Sequence, residues 1–292
     1  MVVSFNSPAS VERCLASLVE QAAAHDAEII VVRAIRIDDA ACDALRRRFS
    51  GCRWMIAPAG ETVPRMRCQG MAAARGDVVA LLEDDCVVDG RWCGAVLEAH
   101  REAWTAVGGA VEPGAYTRAV DWAVYFCEYG RFMLPFAARE SPVLPGNNVS
   151  YKREALAMDG LFEADGFYDV FVHNAWWAKG LPMLMTPALL VTNRNSWPLT
   201  SVSMTPFHHG RGFAARRVAG QSWARRAVLA VFAPFLPLLQ TYRIIRVIVG
   251  RGRLLGRLVV AVPWVVVFST SWALGEVFGY LLGAGKSGQH WR

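Results

Sequence analysis

No two of the seven cysteines stand at C-x-x-C spacing, and their number is odd. That argues against a disulfide framework and a zinc knuckle, and it fits a reduced cytosolic compartment. The first residues, Met1-Val2-Val3-Ser4-Phe5-Asn6, carry neither a basic n-region nor a long apolar run. They therefore form no secretory leader and read as a strand entered midway. Acids are nearly missing from the end of the chain: from Arg211 onward twelve basic side chains face Glu276 alone. The net charge of +6 thus belongs to the tail, while the first 210 residues are net acidic. No nucleic-acid-binding motif accompanies that charge, so nucleic acid is not the expected partner. The tail is also strongly apolar, which assigns its arginines to anionic lipid headgroups.

What is present begins with the run Asp77-Val78-Val79-Ala80-Leu81-Leu82-Glu83-Asp84-Asp85-Cys86. Short, apolar and β-branched, it reads as a buried strand ending in three carboxylates. Adjacent carboxylates repel, and away from water such a group must take up a proton or a cation. Mg²⁺ or Mn²⁺ suits it, since a hard cation accepts one or two carboxylates and completes its shell with water and substrate phosphates. A solvated acidic turn is the plainer alternative.

The 292 residues can hold one large domain or two smaller ones. Strands at Val2–Phe5, Glu28–Val32 and Arg53–Ala57 alternate with helices: one after Ser7-Pro8, one opened by Asp38 and Asp39, and one over Val63–Ala74. Such alternation predicts an α/β fold with a mostly parallel sheet flanked by helices, in which ligands sit beyond the carboxyl ends of the strands. Trp92–His100 reads as a further helix and Ala106–Val111 as a further strand. Core packing is the expected role of most of Trp104, Trp122, Tyr125, Phe126, Tyr129 and Phe132, with aromatic sugar platforms as the alternative.

Taken in order, Val3-Ser4-Phe5-Asn6, Cys14 to Gln21, Arg67-Cys68-Gln69-Gly70, Ala74-Arg75-Gly76-Asp77 and Glu83-Asp84-Asp85 resemble glycosyltransferase family 2 of the GT-A fold, in the manner of membrane-associated bacterial-type members. The resemblance covers roughly residues 1 to 215. It implies a Rossmann-like GT-A catalytic domain over 1–215 and a membrane-associated helical tail over 216–292. It implies a nucleotide-sugar donor, with the diphosphate bridged through a divalent metal to Glu83 and Asp85 and with Asp84 assisting. Ser4, Phe5 and Asn6 stand where the family usually has Pro-Thr-Tyr/Phe-Asn and are carried over as donor contacts. Arg33 stands where the family often has a base-reading Asp; arginine offers no acceptor for a uracil N–H, so uridine recognition would pass to Asp38 or Asp39. Arg67 is placed at a donor phosphate.

Leu144-Pro145-Gly146-Asn147-Asn148-Val149-Ser150 resembles the family's Gly-x-Asn segment, and Asn148 is assigned to the donor; a plain turn is the alternative. In Tyr168-Asp169, standing for the family's Glu-Asp, Asp169 is the implied general base on an acceptor hydroxyl, with helix capping as the competing role. His173, one turn further on, is the second candidate. His208-x-x-Arg211 loosely resembles the family's Gln-x-x-Arg-Trp, which assigns Arg211 to the diphosphate. Ala227–Leu239, interrupted by Pro234 and Pro237, reads as interfacial or re-entrant, whereas Leu258–Gly275 is uncharged and long enough to span a bilayer. The expectation is an inverting hexosyltransferase-type enzyme at the cell membrane, its catalytic domain cytoplasmic, serving cell-envelope polysaccharide with a glycan or lipid-linked acceptor. The alternatives are a nucleotidyltransferase on the same sheet, a non-catalytic membrane scaffold with a decayed site, and a buried helical hairpin in a soluble protein.

Overall fold

A computed structural model describes the chain except residues 35–39, 162–165, 196 and 291–292. The readings placed on Asp38 and Asp39 lie outside the described residues. The chain divides into two compact units, residues 1–114 with 132–194, and 115–131 with 195–292.

The first unit opens with β1 (Val2–Ser4), α1 (Pro8–Ala24), β2 (Ile30–Ala34), α2 (Ala40–Arg48), β3 (Arg53–Ala57), α3 (Val63–Ala73) and β4 (Val78–Glu83). Ser7 caps α1 by accepting from the Ser10 amide, Pro8 occupies its first turn, and Val11, Leu15, Leu18 and Ala22 are buried along one face. Strands β3, β2, β1 and β4 run parallel in that order. After them come β5 (Cys86–Val88), α4 (Trp92–Ala99) and β6 (Ala106–Pro113).

The chain leaves this unit for α5 (Ala119–Glu128) and returns for β7 (Arg139–Glu140), β8 (Asn148–Lys152), α6 (Arg153–Met158), α7 (Asp169–Ala178) and β9 (Met183–Asn193). β8 pairs antiparallel with β4 and β6, β9 runs parallel to β6, and β5 and β7 join β9 antiparallel. The result is an α/β fold with a mixed sheet in the order β3-β2-β1-β4-β8-β6-β9-β5, flanked by helices. β9 is not foreseen from the sequence; Pro187 interrupts its apolar run, and a register shift after Gly109 accommodates the irregularity. A Cβ at Gly109 would collide with the Leu189 carbonyl, so only glycine allows that approach.

The second unit holds α5, α8 (Ser201–Arg217), α9 (Trp223–Phe232), α10 (Leu236–Arg251) and α11 (Leu255–Leu282). Trp122, Tyr125 and Phe126 of α5 are buried and pack edge-on or tilted with one another, as core aromatics do. A single helical run joins α9 and α10, and both Trp223–Arg251 and Leu255–Leu282 are long and apolar enough to cross a membrane, by length and composition.

Candidate active site

The parallel pairing fixes the site. Val3 lies opposite Glu83 and Ser4 opposite Arg33, so the chain following β1, the end of β2 and the three acids meet at one carboxyl edge of the sheet. All three acids are buried, so the solvated-turn alternative is set aside.

Their roles differ sharply. Asp84 accepts from the Ser4 hydroxyl at 3.0 Å, from the Phe5 and Asn6 amides at 3.1 and 3.0 Å, and from the Asn6 side chain at 2.7 Å. Burial pushes its carboxyl up to about 6, against the pull of Asn6, Ser4 and Arg33. Arg33 completes the clamp, donating to Ser4 Oγ at 2.7 Å and to the Asn6 carbonyl at 3.2 Å. Asp84 therefore shapes the turn after β1, and Ser4, Phe5 and Asn6 are held by it. Asp84→Ala should strand the buried Ser4 hydroxyl and the partly buried Phe5 and Asn6 donors and lower stability by about 2 kcal/mol, read as a lower melting temperature of the purified protein.

Glu83 faces Arg67 of α3, whose Nη2 donates to Glu83 Oε1 at 2.8 Å and to the Gly146 carbonyl at 3.3 Å. Arg67 Nη1 donates to Asp169 Oδ1 at 3.1 Å. Burial works against the guanidinium charge, but Asp169 and Glu83 more than offset it and hold its pKa above the ordinary value. Asp169 reaches this position because the Phe167 amide donates to the Pro64 carbonyl at 2.9 Å, tying the start of α7 to the start of α3. Gly166, at φ +151, makes that turn possible; a side chain there would meet Tyr168 and Pro64. Asp169 is the first residue of α7, and its carboxylate turns to Arg67; Tyr168 holds the cap position.

Asp85 is the acid with an oxygen to offer. It is 3% exposed, and its Oδ2 has no hydrogen-bond partner. Burial first, then the charges of Glu83 and Asp84, push its carboxyl up to about 8, with the Asn193 side chain and the Cys86 thiol acting the other way. A buried carboxylate with an unpaired oxygen and repelling neighbours fits a divalent cation. Among the described residues no group of three His, Cys, Asp or Glu forms a full ligand set, so water and substrate oxygens would complete the shell. The expectation that Glu83 shares the cation meets a competing use, since its Oε1 is already taken by Arg67.

Two adjacent asparagines also separate. Asn148, expected at the donor, is fully buried, with its amide donating to the Ala110 and Leu189 carbonyls at 2.9 Å each and its oxygen accepting from Trp92 Nε1 at 2.9 Å. This corrects the donor assignment: the side chain is a tie inside the sheet, with no polar atom turned outward. Asn147, not singled out by the sequence, is 1% exposed with both amide atoms unpartnered, and its carbonyl lies 3.6 Å from Cys86 Sγ, next to Asp85. A buried amide without partners is costly unless a ligand or water satisfies it, which marks Asn147 as the polar contact of this segment. The second base candidate, His173, is walled off: its Nε2 sits 2.9 Å from the Tyr151 hydroxyl, and burial lowers its pKa to about 4. Arg211 lies in α8 of the second unit, where its Nε donates to the Gly283 carbonyl at 2.9 Å. His208 stacks on His290 with centroids 4.1 Å apart.

The family model for glycosyl transferase family 2 matches residues 1–157. The chain belongs to this family. Among solved structures it is similar to the mannosyltransferase PcManGT from Pyrobaculum calidifontis, described in complex with GDP-Man and Mn²⁺, at 16% identity and a TM-score of 0.55, over 95% of this chain and 86% of that one. At that identity the likeness establishes the fold. None of the curated proteins searched matches the chain. As a member of glycosyl transferase family 2 it carries its acids where the GT-A-like sheet ends, one oxygen of Asp85 being left without a partner.

Proposed function

We propose that this family 2 protein is an active, inverting glycosyltransferase attached to a membrane, moving a sugar from a nucleoside-diphosphate donor to an acceptor hydroxyl. One observation carries the reading: at the carboxyl edge of the sheet, Asp85 keeps a free oxygen and feels the charge of Glu83, and Glu83 is in turn bridged by Arg67 to Asp169 at the head of α7. A divalent cation bound at Asp85 would supply positive charge for the donor diphosphate. Asp169 takes the proton from the acceptor hydroxyl as that oxygen attacks the anomeric carbon. The bond from that carbon to the diphosphate oxygen breaks, and attack from the opposite face inverts the configuration. Arg67 keeps Asp169 oriented, and the Asn147 amide offers a donor and an acceptor to sugar hydroxyls or phosphate. GDP-mannose with Mn²⁺, the pair in the PcManGT complex, is the first donor to try.

The cytoplasmic placement of the catalytic unit and a glycan or lipid-linked acceptor follow from where nucleotide sugars are made and from the arginine-rich apolar tail. The bacterial-type, cell-envelope role rests on the sequence resemblance. Incubation with nucleotide sugars and Mn²⁺ should release nucleoside diphosphate; pyrophosphate release would assign the site to nucleotidyl transfer instead.

Gly146 gives a separate handle on the geometry. A Cβ there would come within 2.5 Å of Asp169 Oδ2 and 3.0 Å of Arg67 Nη2. Gly146→Ala should leave the melting temperature nearly unchanged, because the carboxylate can swing aside, yet lower kcat by roughly 10-fold or more through misplacement of the base.

A further inference from the structure

We propose that α9, α10 and α11 form a monotopic hairpin, sunk into a single leaflet, with the α10–α11 turn on the side of the bilayer where α5 lies. The proposal rests on the membrane-attached reading above and revises the expectation that Leu258–Gly275 spans. Length permits crossing: α11 has 28 residues, or ~42 Å against a hydrocarbon core of ~30 Å. What decides is the protein that accompanies it.

Near the turn, Arg257 lies 5.5 Å from the Trp122 ring centroid, and Arg251 Nη2 donates to the Arg131 carbonyl at 3.2 Å. Ile248 of α10 is fully buried and would touch a Cβ on Gly130 at 3.1 Å. Trp122, Gly130 and Arg131 belong to residues 115–131, which leave the first unit at Gly114 and rejoin it at Phe132. This excursion therefore stays on whichever side of a bilayer the sheet occupies, and a ten-residue α5, ~15 Å long, is too short to cross.

The other half of α11 is accompanied as well. Gly275 and Gly279 lie directly against the Phe207 and Arg211 carbonyls of α8, and Arg217 Nη1 donates to Glu276 at 2.9 Å. Trp197, just before α8, packs on Phe268 with centroids 6.2 Å apart. Segments tethered to the sheet thus touch α11 near both ends, whereas a spanning hairpin would carry its turn ~30 Å away to the opposite face.

Surface and charge agree. Val231, Phe235, Leu238 and Tyr242, spaced four, three and four apart, are all more than half exposed, and α11 leaves Val259 and Val266 exposed. Each helix so presents a bare apolar stripe with a protein-covered flank, the pattern of a helix lying in the interface. Arg243, Arg246, Arg251, Arg253 and Arg257 gather around the turn without an acid between them. In a spanning hairpin these five would sit across the bilayer from a cytoplasmic catalytic unit, against the positive-inside tendency; in a monotopic one they stay on its own side, where the exposed Arg243 and Arg246 reach anionic headgroups.

The test compares single cysteines at Gly250 and Gly51, both open positions where a Cβ meets nothing within 4 Å. The full-length protein is placed in sealed vesicles containing anionic lipid and labelled with a membrane-impermeant maleimide, the parent protein giving the background. A labelling ratio near one for Gly250→Cys and Gly51→Cys, unchanged on permeabilisation, is the expected result. Several-fold gain at Gly250→Cys only on permeabilisation or solubilisation, with Gly51→Cys labelled from the start, overturns the proposal. Gly256→Cys, also open, serves as the second reporter of the turn. Protein recovered free of vesicles would instead overturn the membrane-attached reading itself.

Discussion

Asp85→Asn should abolish metal-supported binding of nucleoside diphosphate and lower turnover by roughly 10³-fold or more, the scale expected when charge stabilisation of a departing oxyanion is removed. The same substitution should raise the melting temperature of the metal-free protein. Burial and two neighbouring acids already push the Asp85 carboxyl up to about 8, so the neutral amide replaces a group whose charged form the fold disfavours. The sign follows from proton counting. A carboxyl with its folded pKa above its unfolded one binds more protons when folded, so its contribution is complete in acid and is lost as pH rises towards about 8. The stability gap between Asp85→Asn and the parent, both metal-free, should therefore widen from about pH 5 to about pH 8. A cation displaces that proton, so cation affinity of the parent should rise over the same window. Loss of activity with gained stability is the pattern of a functional residue held against its own preference, and thermal melts across pH with parallel turnover assays check both halves.

Asp169→Asn should act on a different step. The amide can still accept from Arg67, which keeps Glu83 as its other partner at 2.8 Å, so the fold and donor affinity should stay near those of the parent. What is lost is the proton acceptor, and kcat should fall by about 10²- to 10⁴-fold, the range of a positioned general base. Single-turnover measurement with saturating donor separates this from a binding defect. Retention of most of the turnover would remove Asp169 from the chemistry and leave it as a support for Arg67.

Much of the fold could be read in the chain itself. The acidic strand, the capped α1 and the α3 helix announce themselves through short-range pattern, and the mixed part of the sheet does so less, because β8 and β9 are irregular runs containing or following proline. The site was legible in kind and not in detail. Asp84 and Asp85 are neighbours with the same side chain, yet one is locked by a turn about eighty residues earlier while the other keeps a free oxygen. Asn147 and Asn148 divide in the same way, because Asn148 lies opposite Leu82 in the β4–β8 ladder and points its amide into the sheet; alternation along a strand is fixed only once register is known. Arg67 read as a phosphate contact because its two acidic partners come from β4 and from α7, 102 residues away. The tail's composition speaks for lipid, but the contacts of residues 115–131 with α10 and α11, which argue its depth, join segments more than a hundred residues apart.

Calorimetric titration of a panel of nucleoside diphosphates, with and without Mn²⁺, into the parent and Asp85→Asn tests the account most directly. Saturable binding by the parent that requires the cation and vanishes in the variant is the predicted result. Equal binding without the cation, or unchanged binding by Asp85→Asn, would contradict it.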